Sequence, residues 1–296
     1  MDWLKYKKIY FAISGLLIAV GIFGLSTWGL KLGVDFKGGT IIEYKFTDPI
    51  STEKVTKEIE KEGIEITSIQ LTEDNSYLFR LPPIKTEEKG KIGEKLEGLT
   101  EGGVDELRFE TVGPSIGPEL VKKTIYAIAI AAGAILLWVA FQFKSFKFGI
   151  SAILAMFHDS FILIGSFSLL GHFFSAEVDF LFVTALLTTL SFSAHDTIVV
   201  FDRIREINKK YGGELVDVAN RALSETMVRS LNNSFTIIFM LVALFLLGGT
   251  TIKWFAVVLL IGTVLGTYSS PFVAVPLLMV WDSLAEKLKS RKLLRR

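Results

Sequence analysis

Six long apolar runs punctuate the chain, each with the roughly 20 residues that a helix needs to cross a bilayer. They lie at about Ile9–Leu30, Ile125–Phe143, Phe148–Leu170, Phe180–Phe201, Leu231–Leu247 and Trp254–Trp281. The polar stretch 31–123 between the first two has its own periodicity. Gly38–Phe46 alternates and is rich in β-branched residues, as a strand requires. Ser51 opens a helical pattern through Val55 and Ile59. Ile64–Leu71 and Tyr77–Leu81 read as strands around a turn at Glu73-Asp74-Asn75. Lys85–Leu99 reads as a helix and Val104–Val112 as a strand.

The order βαββαβ packs as one antiparallel sheet with two helices on one face. The expected fold is therefore membrane α-helical: six transmembrane helices, with a ferredoxin-like α+β domain outside the cytoplasm between the first and second spans. The expected parts are 1–30 (cytoplasmic N-terminus and first span), 31–123 (outer domain), 124–281 (five-helix bundle with a cytoplasmic loop at about 202–230) and 282–296 (basic cytoplasmic tail).

Charge in the connecting segments orients the spans. Lys5, Lys7 and Lys8, then Lys144 and Lys147, then Arg203, Arg205, Lys209 and Lys210, and finally Lys287, Lys289, Arg291, Lys292, Arg295 and Arg296 all fall on one side, the cytoplasm. Glu177 and Asp179 fall on the other. The first run is long and no small-residue cleavage site follows it, so it is expected to remain as an anchor.

Composition narrows the chemistry. Half of the 296 residues are hydrophobic, more long apolar sequence than a soluble core needs. A formal net charge of +1 gives no basic face for nucleic acid. With no cysteine, disulfides and thiolate sites are excluded. No cofactor or metal is expected, and no Ser-His pairing or HExxH spacing points to an intramembrane enzyme.

Ionisable residues interrupt the apolar runs: His158 and Asp159 in the third, His195 and Asp196 in the fourth, and Arg229 at the mouth of the fifth. A charge at the centre of a bilayer costs roughly 2.5–3.5 kcal/mol on insertion scales, so such groups face partners or water. At helical spacing Thr184, Thr188, Ser191 and His195 form one stripe of the fourth span, and Thr189, Ser193 and Asp196 the adjacent one. Thr226, Arg229, Asn233 and Thr236 form a stripe leading into the fifth. Asp196 and Arg229 are at matching depth, which allows an ion pair. Burial raises a carboxylate's pKa and a nearby Arg lowers it, so a carboxylate whose Arg moves gains and loses a proton. His195, Asp159 and His158 are further proton-transport candidates. The competing readings are a static Asp196–Arg229 pair and interhelical hydrogen bonding by His158 and Asp159. Gly262 and Gly266, four apart, suit close helix packing. Asp35 beside Gly38-Gly39 suits a structured turn, and Gly113-Pro114 and Gly117-Pro118 a rigid entry into the second span.

Several motifs in this order resemble one family. They are Gly33-Val34-Asp35-Phe36-Lys37-Gly38-Gly39-Thr40, Val112-Gly113-Pro114-Ser115-Ile116-Gly117, Phe157-His158-Asp159, Gly266-Thr267-Tyr268-Ser269-Ser270 and, most specifically, Asp196-Thr197-Ile198-Val199-Val200-Phe201-Asp202-Arg203-Ile204-Arg205-Glu206. Over nearly the whole chain this is similar to the SecF family of bacterial protein export, within the resistance–nodulation–division superfamily. The resemblance implies a multi-pass protein of the bacterial cytoplasmic (inner) membrane. It also implies SecD, the SecYEG translocon and YajC as partners, together with translocating unfolded polypeptide and membrane lipid, but no nucleic acid. It implies proton-driven assistance to export, with Asp196 in proton transport and Arg229 as its electrostatic neighbour. The chain departs from the family pattern at His195, where the family has asparagine, and at Arg229-Ser230 with Asn233-Ser234, where it has Arg-Thr and Thr-Ser. His195 is thus either a relay or a passive substitute. A small-solute/proton exporter of the same superfamily and a non-transporting scaffold stand as alternatives.

Overall fold

The structure is a computed structural model and describes residues 2–61, 63–72, 75–113, 116–143 and 145–293, without the side chains of 86, 250 and 285–293. Pro114 and Ser115 of the Gly-Pro motif, Glu73 and Asp74 of the expected turn, and Lys144, Arg295 and Arg296 of the basic clusters lie outside the described residues. The chain forms two compact units, residues 32–126 and residues 1–31 with 127–296.

The smaller unit begins with a short helix α2 (Val34–Lys37) that follows the first long helix α1 (Lys7–Thr27). Strand β1 (Gly39–Phe46), helix α3 (Thr52–Lys61), strands β2 (Ser68–Leu71) and β3 (Ser76–Leu81), helix α4 (Thr86–Glu97) and strand β4 (Val104–Val112) come next. The sheet is antiparallel throughout, in the order β2-β3-β1-β4. Ile42, Tyr44 and Phe46 alternate onto one face of β1 and join Tyr77, Phe79 and Leu81 of β3. Val55 and Ile59 of α3 with Ile92 and Leu96 of α4 complete this core, all buried.

The paired glycines are explained by backbone geometry. Gly38 ends α2 at φ +77 and Gly39 opens β1 at φ +139, conformations that L side chains avoid. A Cβ on Gly39 would also stand 3.0 Å from the Leu81 carbonyl oxygen. Asp35 lies in the first turn of α2. Gly117 starts helix α5 (Ile116–Phe143) where a Cβ would strike the Phe36 carbonyl, so this glycine lets α5 begin against α2.

The larger unit contains α1, α5 beyond Tyr126, α6 (Phe146–Phe174), α7 (Phe180–Tyr211), α8 (Leu215–Leu247), α9 (Gly249–Ser269) and α10 (Val275–Leu293). Among the described residues, six helical stretches are long and apolar enough to cross a membrane. One departure from expectation is the polar segment 202–230. It is helical except at 212–214, because nothing breaks the helix before Gly212-Gly213, which take φ +65 and +108. The expected loop is therefore two helical extensions joined by a tight turn.

Small residues set the closest crossings. Gly21 of α1 faces Gly165 of α6, where a Cβ on Gly165 would overlap the Gly21 Cα. On α9 a Cβ on Gly262 would collide with Thr189, and one on Gly266 would stand 3.2 Å from the Ser193 Cα. The α7–α9 seam is thus the approach that the Gly262/Gly266 spacing predicts. Between α9 and α10 the helix widens into a π turn at Ser270–Ala274. Pro271 supplies the reason, since it has no N–H to bond back along the helix.

The extensions of α7 and α8 are held by the motif residues. Arg203 bonds Glu206 at 2.5 Å and Glu225 of α8 at 2.6 Å. Asp202 accepts from Arg205 at 2.7 Å, and Arg205 also donates to the Gln142 carbonyl at the end of α5 at 3.0 Å. These groups are exposed, so each pair contributes modestly. Beneath them Phe201, Ile204, Ala222, Leu223 and Leu278 form a buried apolar cluster.

Candidate functional site

Two carboxylates sit on the helical seams of the larger unit, in different environments. Asp159 is buried on α6. Its Oδ2 accepts from the Ser193 hydroxyl of α7 at 2.6 Å and from the Ser269 hydroxyl of α9 at 2.5 Å. Its Oδ1 lies 2.9 Å from Nδ1 of His158. One side chain therefore ties three helices. His158 is buried too, and its Nε2 has no hydrogen-bond partner. One turn along α7, the Thr197 hydroxyl bonds that of Ser270, the first residue of the π turn, at 3.0 Å.

Asp196 lies on the neighbouring face of α7, three residues past Ser193, and its side chain is 14% exposed. Its Oδ2 accepts from the Ser230 hydroxyl of α8 at 2.7 Å. It borders a small, partly open cleft of about 20 Å³, lined also by Phe192, His195, Asn233, Ser234, Ile237, Thr263, Gly266 and Thr267. Across this cleft the Ser234 and Thr267 hydroxyls bond at 2.5 Å, joining α8 to α9. The carboxylate thus has a hydroxyl donor on one side and an opening lined by hydroxyls and an amide on the other.

The expected ion pair between Asp196 and Arg229 is not formed. Ser230 takes the place expected for Arg229. The buried seam of α8 runs through Thr226 and Ser234, with half-buried Ser230 midway between them. Arg229 is one residue earlier, roughly 100° round the helix, and is exposed. The predicted α8 stripe is therefore offset: Thr226 is on the seam, Arg229 and Thr236 are exposed, and Asn233 reaches the cleft from its edge.

On α7 the stripe of Thr189, Ser193 and Asp196 turns inward. The other stripe turns outward: Thr184 and Ser191 are exposed, Thr188 half-buried, and the His195 side chain 71% exposed. The two threonines satisfy themselves, donating to carbonyls four residues back at 3.0 and 2.8 Å. His195 Nδ1 is 3.8 Å from Asp196 Oδ1, beyond hydrogen-bond reach.

Sequence reasoning quoted Ser230, Ser234, Thr267, Ser269 and Ser270 only within family motifs and gave none of them a role at the site. Two signals were available. Thr226, Ser230 and Ser234 repeat every four residues, and two serines precede Pro271 inside an apolar span.

Comparison with known proteins bears on this geometry. Residues 91–284 match the family described as protein export membrane protein SecD/SecF, C-terminal, and residues 23–50 match the SecD/SecF GG motif. The chain is 42% identical to the protein translocase subunit SecF of Thermobaculum terrenum, over 96% of this chain and 94% of that one. It is 37% identical to the SecF subunit of Anaerolinea thermophila, over 96% and 94%. The crystal structure of SecDF, a translocon-associated membrane protein from Thermus thermophilus, is similar at a TM-score of 0.83 and 31% identity, over 96% of this chain. This chain spans 39% of the length of that protein. SecDF in its super-membrane-facing form is similar at a TM-score of 0.71 and 31% identity, over 99% of this chain and 40% of that one.

Proposed function

Because the chain belongs to the SecF family of protein translocase subunits, we propose that it works with SecD as an auxiliary of Sec protein export, using the proton gradient to promote movement of secreted polypeptide. A single observation carries the proton part. Asp196 is an acid group inside a membrane-spanning helix, bonded by the neutral hydroxyl of Ser230 and open to a polar cleft. The cleft is where a proton would reach it, and among the described residues no Lys or Arg is bonded to it. One elementary charge crossing 100 mV releases about 2.3 kcal/mol, enough to bias two helix arrangements that differ by a similar amount.

The partner half of the proposal rests on what α7 and α8 leave uncovered. His195, Arg229 and Asn233 are exposed at or near bilayer depth. Polar groups there need protein or water beside them. Helices of a SecD chain supply that cover, with Arg229 offered to an acidic group on the partner. His195, beside the cleft mouth, passes protons through water rather than by direct contact with Asp196.

In this reading the basic segments lie in the cytoplasm of a bacterial inner-membrane protein, and the 32–126 unit, a ferredoxin-like sheet, lies outside. There it meets polypeptide emerging from SecYEG, with YajC among the neighbours. The test is proton flux and export in vesicles carrying this chain with SecD. Asp196→Asn should abolish flux and reduce export while the protein's abundance stays normal. Full export and flux in that variant would leave the chain a scaffold.

A further inference from the structure

The knot around Asp159 has more hydrogen-bond logic than helix packing alone requires. The groups facing this carboxylate are His158 from its own helix, Ser193 from α7 and Ser269 from α9. Among the described residues no Lys or Arg pairs with it. Ionised, it accepts from both hydroxyls through Oδ2 and from His158 Nδ1–H through Oδ1, with no donor left over. The imidazole is a poor place for an added proton, because Nε2 is buried without an acceptor and a buried N–H left unmade costs about 1–3 kcal/mol.

A proton on Oδ2 changes the count. The new O–H must donate, so one serine must turn its own hydrogen elsewhere. Ser269 has the alternative in place, since its hydroxyl lies 3.4 Å from the Gly266 carbonyl of its own helix. That carbonyl already accepts from the Ser270 backbone N–H and, at 3.0 Å, from the Ser270 hydroxyl, which can turn instead to the Thr197 hydroxyl 3.0 Å away and free the site. With Asp159 protonated, Oδ2–H donates to Ser269 Oγ and Ser269 donates to Gly266. One proton is taken up, the carboxyl becomes neutral and every group keeps a partner. The charge-assisted tie from α9 to α6 becomes a neutral one, weaker by about half. This happens immediately before Pro271 and the π turn, where the helical ladder is already interrupted and bending is cheap.

We propose that Asp159 is a second proton-binding group whose occupancy sets how firmly α9 is tied to α6, with Ser269 as the swivel and Ser193 keeping α7 attached in both states. It deepens the proton-coupled reading above and rests on it for its purpose, but can be tested apart from it.

The experiment is pH-difference infrared spectroscopy on the full chain with SecD in lipid nanodiscs, using carbon-13 aspartate. Read in the Asp196→Asn background, where the other bundle carboxyl is silent, a buried carboxylic-acid band should appear on acidification and vanish when Asp159→Asn is added. In Ser269→Ala the pH at which it appears should move by about one unit, a tenfold change in proton affinity. A band that never titrates in that background, or that titrates at the same pH in Ser269→Ala, overturns the proposal. If Asp159→Asn does not assemble, the Ser269→Ala comparison decides alone. Because the band is read in Asp196→Asn, a failed flux test at Asp196 leaves this result independent.

Discussion

Ser230 donates to Asp196 at 2.7 Å, while the arginine immediately before it, Arg229, is exposed on the flank of α8. Within this chain the carboxylate is therefore met by a neutral group that can bond either protonation state. Hydrogen bonds to charged groups contribute about 1.5–3 kcal/mol. In the proton-coupled reading proposed above, Ser230→Ala should lower proton flux several-fold and leave the complex assembled. Flux recorded in SecD-containing vesicles checks this, and an unchanged flux would mean that the bond does not matter.

Arg229 should matter only in company. Exposed and unpaired here, it contributes little to the chain's own fold. Arg229→Ala should change thermal stability of the isolated chain by no more than about 0.5 kcal/mol. Co-purification with SecD and export should both fall. A variant that destabilises the isolated chain strongly would place the arginine in an internal role.

The crossing of α1 and α6 depends on two missing side chains. A Cβ on Gly165 overlaps Gly21 backbone, so Gly165→Leu must push the helices apart, at a cost of about 1–3 kcal/mol. Gly15 on the same α1 has nothing within 4 Å, and Gly15→Ala should be neutral. Thermal unfolding in one detergent, the two variants side by side, separates the outcomes.

The smaller unit carries its own pH signature. Burial, with Glu106 and Glu97 nearby, pushes the Tyr44 phenol up to about 12 from 10.0. The unfolded chain releases this proton near pH 10 and the folded one only near 12. Tyr44 therefore has no effect on stability below pH 10 and lowers it as pH climbs from 10 to 12. The difference in tyrosinate absorbance between the native chain and Tyr44→Phe should have its midpoint near pH 12. A midpoint near 10 would contradict the burial.

The spans and the sequence of strands and helices along the smaller unit were legible because apolar runs and two-residue alternation are strong signals. Val104–Val112 was readable to the residue. Polar helices were harder: 202–230 has charges enough for a loop, yet it contains no breaker before Gly212, and propensity carried it on. At the site, residue types were legible and their facing was not. A shift of one position moves a side chain roughly 100° round a helix, which separates Arg229 from Ser230. Serines were passed over because a hydroxyl inside an apolar run usually bonds its own backbone, as Thr184 and Thr188 do here. Only three-dimensional proximity distinguishes them from Ser193 and Ser269.

Gly266 borders the open cleft with its edge while its Cα side presses on Ser193, a direct ligand of Asp159. Between the cleft beside Asp196 and the buried Asp159 stands a residue with no side chain, and a methyl group added there would meet Ser193 Cα at 3.2 Å and make the two helices give way beside the carboxylate that Ser193 holds.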